Sequence, residues 1–349
     1  MIKIKKKIKV LIIDDSALVR NILTQGLSKD PGIEVVGSAP DVFVGRDKIV
    51  RLKPDVLTLD IEMPEMDGIE FLRRLMPQYP IPVVVVSSLT RKGQQTTFDA
   101  LEAGAVDFVS KPGINLVKGL GSVLMELATK IKIASTVDLS HWKNKRKVYA
   151  NKTISSNALD ESTDKIIAIG SSTGGTEALK RVVTKFPVNM PGVIIVQHMP
   201  AGFTKLYADK LNQLCRMEVK EAQNGDRVLQ GRILVAPGDY HLRVKRFGGI
   251  YKVLCSKDTD NSLHCPSVDV MMDSVAKEVG KNAIGIMLTG MGKDGASGML
   301  NMKKAGAYNI AQDERTSVVY GMPKVAFEYG GVDVVKPLED IAKEVVRNL

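Results

Sequence analysis

Short β-branched runs alternate with segments of helical spacing over residues 8–130. Val10–Ile13, Glu34–Gly37, Val56–Leu59, Val83–Ser87 and Phe108–Ser110 read as strands, and Ala17–Ser28, Ile69–Met76 and Thr96–Ala103 carry apolar residues at helical intervals. This βα alternation predicts a five-stranded parallel sheet covered by helices on both faces. The rhythm fails from Ala134 to Asp164, where Ser, Thr, Asn, Asp and Lys dominate and apolar residues lose any period. A charged, extended linker is expected there. Alternation resumes at Lys165, with strands expected at Ile166–Ile169, Val193–Gln197, Ile233–Ala236, Ile250–Cys255, Ile284–Thr289 and Tyr308–Gln312. Helical patterns fall at Thr176–Lys185, Val268–Val279, Ala296–Ala305 and Leu338–Asn348. The expected organisation is therefore a first α/β domain over 1–133, a linker over 134–164 and a second, doubly wound α/β domain over 165–349.

Composition narrows the class. With 349 residues, 44% hydrophobic and 25% charged, the chain is long enough for two cores and too apolar to be disordered. No apolar run approaches the roughly 18 residues of a membrane span, so direct insertion is not expected. The N-terminal basic tract is not expected to open a signal peptide, because the apolar stretch after it stops at Asp14 and Asp15. Cys215, Cys255 and Cys265 form no CxxC pair and no even set, which points away from a disulfide scaffold and towards the cytoplasm.

The net charge of +10 raises a nucleic-acid or anionic-membrane partner. Five of those charges lie in the first ten residues and four more in Lys143-Asn144-Lys145-Arg146-Lys147, leaving a near-neutral remainder. The second domain lacks a helix-turn-helix pattern and is too long for one, so no nucleic-acid partner is expected. The tracts can still favour encounter with an acidic partner through long-range attraction. Trp142, the only tryptophan, sits beside the basic tract, in a solvated tether or a docking element.

Chemistry gathers at strand ends, where parallel sheets bind ligands. In the first domain Asp14 and Asp15 end the first strand, Asp60 the third, Ser87 the fourth, and Lys111 with Pro112 the fifth. Three carboxylates on one edge repel unless a hard divalent cation such as Mg²⁺ sits among them. A lysine and a hydroxyl supply the remaining contacts for a phosphoryl group, with Asp60 as the nucleophile.

In the second domain Gly170-Ser171-Ser172-Thr173-Gly174-Gly175 follows a strand and opens a helix. It fits G-x-S-x-G centred on Ser172, and equally a loop that cradles phosphate. His198 ends the neighbouring strand, where a dinucleotide site would want an acid and a hydrolase wants a base. Asp294 lies on a third strand-end loop, Gly290-Met291-Gly292-Lys293-Asp294-Gly295, and could orient the imidazole. That loop also reads G-x-G-x-x-G, with Asp313-Glu314 after the next strand, so a nicotinamide cofactor stays open at this point. Against it, a carboxylate at Asp294 would face the pyrophosphate, and the motif falls late in the domain. The order Ser172, His198, Asp294 differs from the Ser, acid, His order of α/β-hydrolases, so that fold is not expected.

Two sets of strings resemble known families. Ile12-Ile13-Asp14-Asp15-Ser16, Leu59-Asp60-Ile61-Glu62-Met63-Pro64-Glu65-Met66-Asp67-Gly68 and Ser110-Lys111-Pro112 resemble response-regulator receiver domains, which have a flavodoxin-like fold. Ala168–Glu177, Gln197–Thr204, Val235–Asp239, Pro266–Asp269 and Leu288–Gly295 resemble the chemotaxis protein-glutamate methylesterases of the CheB family, which place receiver, linker and esterase in that order. In the last loop Lys293 stands where that family usually has Asn, a change not expected to abolish activity.

The receiver resemblance implies that a histidine kinase phosphorylates Asp60, with Mg²⁺ on Asp14, Asp15 and Asp60. It also implies that Ser87 and Lys111 bind the phosphoryl group, that Phe108 reports the switched state, and that the Lys111–Pro112 bond is cis. The esterase resemblance implies hydrolysis of glutamate γ-methyl esters on chemoreceptors, and deamidation of their glutamines, by Ser172, His198 and Asp294. Main-chain N–H groups, Met291 among them, would stabilise the oxyanion, and no cofactor is expected in this half. It implies further that the unphosphorylated receiver covers the active-site face. The chain is expected to be a monomer.

Overall fold

The computed structural model describes residues 6–88, 90–111, 120–137, 139, 165–257 and 264–349. It divides into two compact units, Met1–Tyr149 and Ala150–Leu349. Trp142, the basic tract beside it and Pro112 lie outside the described residues.

The first unit carries five strands, β1 (Ile8–Ile13), β2 (Ile33–Ala39), β3 (Val56–Asp60), β4 (Val83–Ser87) and β5 (Asp107–Ser110). Helices α1 (Ala17–Leu27), α2 (Val42–Leu52), α3 (Gly68–Gln78), α4 (Arg91–Ala103) and α5 (Leu120–Ala134) intervene and follow. All strands are parallel in the order β2-β1-β3-β4-β5, so the winding reverses between β1 and β3. The central strands are buried throughout, which is why they read as unbroken apolar runs. Ser16, Asp41, Asp67 and Thr90 cap α1 to α4 by accepting the N–H three residues on.

Helix α2 has no counterpart in the expected elements, because Phe43, Val44 and Val50 are exposed and blur its apolar face. Helix α5 runs through Ala134, the residue at which the sequence pattern breaks.

The second unit has a seven-stranded parallel sheet. Its strands are β6 (Ile166–Ser171), β7 (Gly192–Gln197), β8 (Glu218–Glu221), β9 (Arg232–Val235), β12 (Ala283–Met287), β13 (Tyr308–Gln312) and β14 (Val334–Lys336). A separate antiparallel hairpin is formed by β10 (His241–Phe247) and β11 (Ile250–Ser256). The sheet order is β14-β13-β12-β6-β7-β9-β8, with the reversal between β6 and β12. The helices are α6 (Gly175–Val183), α7 (Phe203–Leu214), α8 (Val268–Glu278), α9 (Ala296–Lys304), α10 (Met322–Glu328) and α11 (Leu338–Arg347).

Two strand readings change. Ile250–Cys255 is a strand, but it pairs in the hairpin, with a single antiparallel bridge from Lys252 to Arg227, and not in the parallel sheet. His241, which shows no regular pattern in sequence, begins β10 and is buried. Among the described residues no helix is long and apolar enough to cross a membrane, and all three cysteines are free thiols.

Phe186, fully buried directly after α6, belongs to the second unit alone. Phe186→Ala should cost about 3–5 kcal/mol. Differential scanning calorimetry should show the transition of the second unit falling while that of the first stays in place.

Candidate active site and phosphoacceptor site

Sheet register builds the second unit's site. Ser171 pairs with Gln197 in the β6–β7 ladder, so Ser172 and His198 are the next residues along two adjacent strands. The His198 N–H donates to the Ser171 carbonyl at 3.1 Å, and the Ser172 N–H donates to the Thr289 carbonyl at 3.0 Å. Ser172 is thus stitched to β7 on one side and to the chain leaving β12 on the other, at the point where the winding reverses. Gly174 takes the left-handed φ of 76° that turns the chain from β6 into α6, where a Cβ would also strike Val318. At Gly290 a Cβ would lie 2.8 Å from Ser172 Cβ, so glycine lets the third loop approach the serine.

Asp294 meets His198 from that loop. His198 Nε2 lies 2.7 Å from Asp294 Oδ2. Three further donors hold the carboxylate: Ser267 Oγ at 2.8 Å, the Val268 N–H at 2.8 Å and the Asp269 N–H at 3.0 Å. Burial alone would push the Asp294 carboxyl up, but the His198 hydrogen bond and charge, with the main-chain donors, hold it down at about 2. An ionised carboxylate only accepts, so His198 Nε2 must carry the proton and Nδ1 keeps the lone pair. Nδ1 is buried and has no hydrogen-bond partner among the described residues. The same bonds answer the dinucleotide reading of Gly290–Gly295: its carboxylate turns to His198 and the start of α8.

Several positioning residues escape the motif reading. Gln197 donates to the carbonyls of Ser172 and His198 and accepts from Ser171 Oγ, tying both strand ends together. Thr289 Oγ1 donates to the Thr173 carbonyl and accepts from the Val319 N–H. The His264 ring stacks on His198 with centroids 4.2 Å apart. A polar residue interrupting an otherwise apolar strand end was the available signal for Gln197 and Thr289. Met291 is exposed on the loop between Ser172 and Asp294, and its main-chain N–H makes no hydrogen bond among the described residues.

The first unit repeats the device. Ile13 pairs with Leu59, which sets Asp14 beside Asp60, and Ser87 pairs with Ser110, which sets Lys111 next to Ser87. Lys111 Nζ lies 2.6 Å from Asp60 Oδ2 and 3.1 Å from Asp14 Oδ2. Burial pushes the Asp60 carboxyl up to about 6 against the pull of Lys111. Asp14, also buried, is raised too. Oxygens of Asp14, Asp15 and Asp60 lie within 4.8 Å of one another, a group that could hold a metal ion. The donor set is carboxylate oxygen throughout, the ligand chemistry a hard divalent cation takes, and Asp14 Oδ2 is buried with Lys111 Nζ 3.1 Å away. Ser87 Oγ donates to the Gly93 carbonyl at 2.9 Å, which ties it to α4. Phe108 is buried, and its carbonyl accepts from Lys130, whose Nζ also lies 5.2 Å from the ring centroid.

Comparison with known proteins matches each unit to a family. The family model described as CheB methylesterase matches residues 167–345, and the one described as response regulator receiver domain matches residues 10–118. The chain belongs to the CheB methylesterase family. A relative from Syntrophotalea carbinolica, named protein-glutamate methylesterase/protein-glutamine glutaminase, is 62% identical, with 98% of this chain and 97% of that protein covered. One of the same name from Sulfurimonas denitrificans is 54% identical, with 96% of each covered. The crystal structure of the Thermotoga maritima CheB methylesterase catalytic domain matches with a TM-score of 0.52 and 39% identity, covering 54% of this chain and 100% of that one. The two-domain α/β architecture is therefore that of a CheB protein.

The depressed Asp294 carboxyl has a sign-definite effect on stability. Its folded value lies below the ordinary 3.8, so its contribution is present above about pH 4 and is lost as pH falls from about 4 towards 2. The contribution is on the order of 2 kcal/mol. In urea titrations between pH 5 and 2, Asp294→Asn should flatten that acid-limb loss. Ser267→Ala, which removes one donor and the α8 cap, should lower stability by about 1–2 kcal/mol at pH 7.

Proposed function

We propose that this CheB-family chain hydrolyses γ-methyl esters of glutamate on chemoreceptors and deamidates their glutamines, in the cytoplasm, under control of its receiver. The observation that carries the reading is the 2.7 Å His198–Asp294 bond one ladder step from Ser172. Ser172 Oγ attacks the ester carbonyl carbon while its proton passes to His198 Nδ1. Asp294 keeps the Nε2 proton in place and stabilises the imidazolium. The Met291 main-chain N–H is the oxyanion donor. The C–O bond to methoxide breaks as His198 returns the proton, so methanol leaves and an acyl-serine remains. Water, deprotonated by His198, attacks the acyl carbon, and Ser172 leaves with the proton. Glutamine follows the same path with ammonia as the leaving group.

The receiver restrains this site until Asp60 is phosphorylated by a histidine kinase. Mg²⁺ on Asp14, Asp15 and Asp60 would neutralise the carboxylates and the incoming phosphoryl oxygens. Lys111 and Ser87 contact the phosphoryl group on Asp60, and Phe108 follows the change. Phe108 supports that reading by its place, buried on β5 three residues before Lys111.

Methanol release from a methylated receptor, with and without acetyl phosphate, tests the reading. Ser172→Ala should lower turnover by roughly three or more orders of magnitude. Asp60→Asn should keep basal turnover and lose the response to acetyl phosphate. Deleting residues 1–134 should raise basal turnover. Full activity in Ser172→Ala would remove the serine from the mechanism, and an unchanged basal rate in the truncation would remove restraint by the receiver.

A further inference from the structure

The near-neutral remainder of the charge count conceals a segregation that the fold makes visible. Residues 165–349 hold 25 Lys and Arg against 19 Asp and Glu. Five of those cations, Arg243, Lys245, Arg246, Lys252 and Lys257, fall in the 18 residues 240–257, which contain no acidic residue. Outside that stretch 20 cations face 19 acids. The β10–β11 hairpin is therefore cationic along its length, with Asp239 and Asp258 flanking it in sequence.

The hairpin has one buried and one open face. Leu242, Val244 and Val253 point into the core with Met271, Met272 and Val275 of α8. The alternate positions form the outer face, as three cross-strand pairs: Arg243 with Leu254, Lys245 with Lys252, and Phe247 with Ile250. Two lysines directly opposite one another weaken a hairpin, so folding alone does not favour that pair. Glu278 reaches Lys245 at 3.1 Å, whereas Lys252 lies over the Phe247 ring. Phe247 and Ile250 at the tip are exposed apolar side chains set among cations.

The hairpin is also fixed to the catalytic acid. Buried His241 at its base accepts the Ser267 N–H at 3.3 Å, and Ser267 Oγ holds Asp294. Just before it, the Asp239 N–H donates to the Cys265 carbonyl, next to the His264 that stacks on His198. A partner seated on this face is thus held in a set relation to the reacting groups.

We propose that the outer face of the β10–β11 hairpin is the substrate-docking surface, and that its occupant is the acidic stretch of the receptor flanking the scissile ester. This rests on the esterase reading. The argument is charge complementarity: demethylation and deamidation each leave a glutamate, so the surface presenting one ester carries carboxylates at its neighbouring sites. Lysines and arginines meet the carboxylates while Phe247 and Ile250 cover apolar positions between them.

The test uses full-length protein activated with acetyl phosphate and two substrates. One is a soluble, methylated receptor cytoplasmic fragment, and the other is N-acetylglutamate γ-methyl ester. Lys252→Glu and Phe247→Ser/Lys252→Glu should lower kcat/KM on the receptor fragment about tenfold or more, through KM. Turnover of the small ester should stay within about twofold. Raising NaCl from 50 to 300 mM should weaken the wild type on the fragment more than the variants, a readout independent of any folding defect. Unchanged kcat/KM on the fragment overturns the proposal, as does an equal fall on both substrates. A rise in unphosphorylated turnover of the small ester would make the hairpin a seat for the receiver, which also overturns it. A wild type that releases methanol from neither substrate overturns the esterase reading itself, and is told apart from the other failures by that control.

Discussion

The catalytic unit is organised by the need to keep one buried carboxylate ionised. Asp294 is withdrawn from water, and that transfer is costly unless every oxygen finds donors. His198, Ser267 and the main-chain N–H groups of Val268 and Asp269 meet that need. The donors come from two elements. His198 is set by the β7 register, while the two main-chain groups belong to the first turn of α8, whose orphan N–H groups favour an anion. The cap of α8, the end of β7 and the loop after β12 are therefore fixed together, and Ser267 brings the base of the hairpin into the same arrangement.

Both units place their chemistry by one topological rule. In each, the winding reverses between two adjacent parallel strands, and loops leaving those strands diverge to open a crevice. The reversal falls between β1 and β3 in one and between β6 and β12 in the other. Asp14 and Asp60 occupy the first crevice, Ser172 and Asp294 the second. Electrostatics then separates the two. Lys111 pairs with Asp60 in the first crevice, yet burial still pushes that carboxyl up to about 6. In the second, the hydrogen bond and charge of His198 and the main-chain donors take the carboxyl down to about 2. One carboxylate is left short of positive charge, which suits a cation and phosphoryl transfer. The other is fully satisfied, which suits a group that only orients.

The strand ends were legible because buried parallel strands are apolar to their last residue, so a polar residue marks where the sheet stops. That signal located Asp14, Asp60, Ser87, Ser172 and His198. Strand β8 escaped because its Glu218-Val219-Lys220-Glu221 lies at the sheet edge and buries little. Strand β10 escaped because basic residues alternate with its apolar ones, a pattern that suits a half-buried strand but falls where no βα unit is expected. The donors around Asp294 were hidden for another reason. Two are main-chain groups, which leave no mark in a sequence, and Ser267 lies 27 residues from the acid it holds. The total charge misled in the same way, since a sum over the chain cannot show that five cations share one hairpin.

The tautomer of His198 links this architecture to reactivity. Because Asp294 accepts the Nε2 proton, Nδ1 presents a lone pair in a buried position without a donor among the described residues. An unpaired buried acceptor costs about 1–3 kcal/mol. A pairing with the Ser172 hydroxyl would relieve that cost and, in the same motion, polarise the O–H bond. The stacked His264 ring covers one face of the imidazole, which limits the water that could satisfy Nδ1 instead. In the proposed mechanism the serine is the donor that would satisfy His198 Nδ1. A site of this kind needs no strong base, since the acceptor is made available by geometry and kept available by exclusion of water.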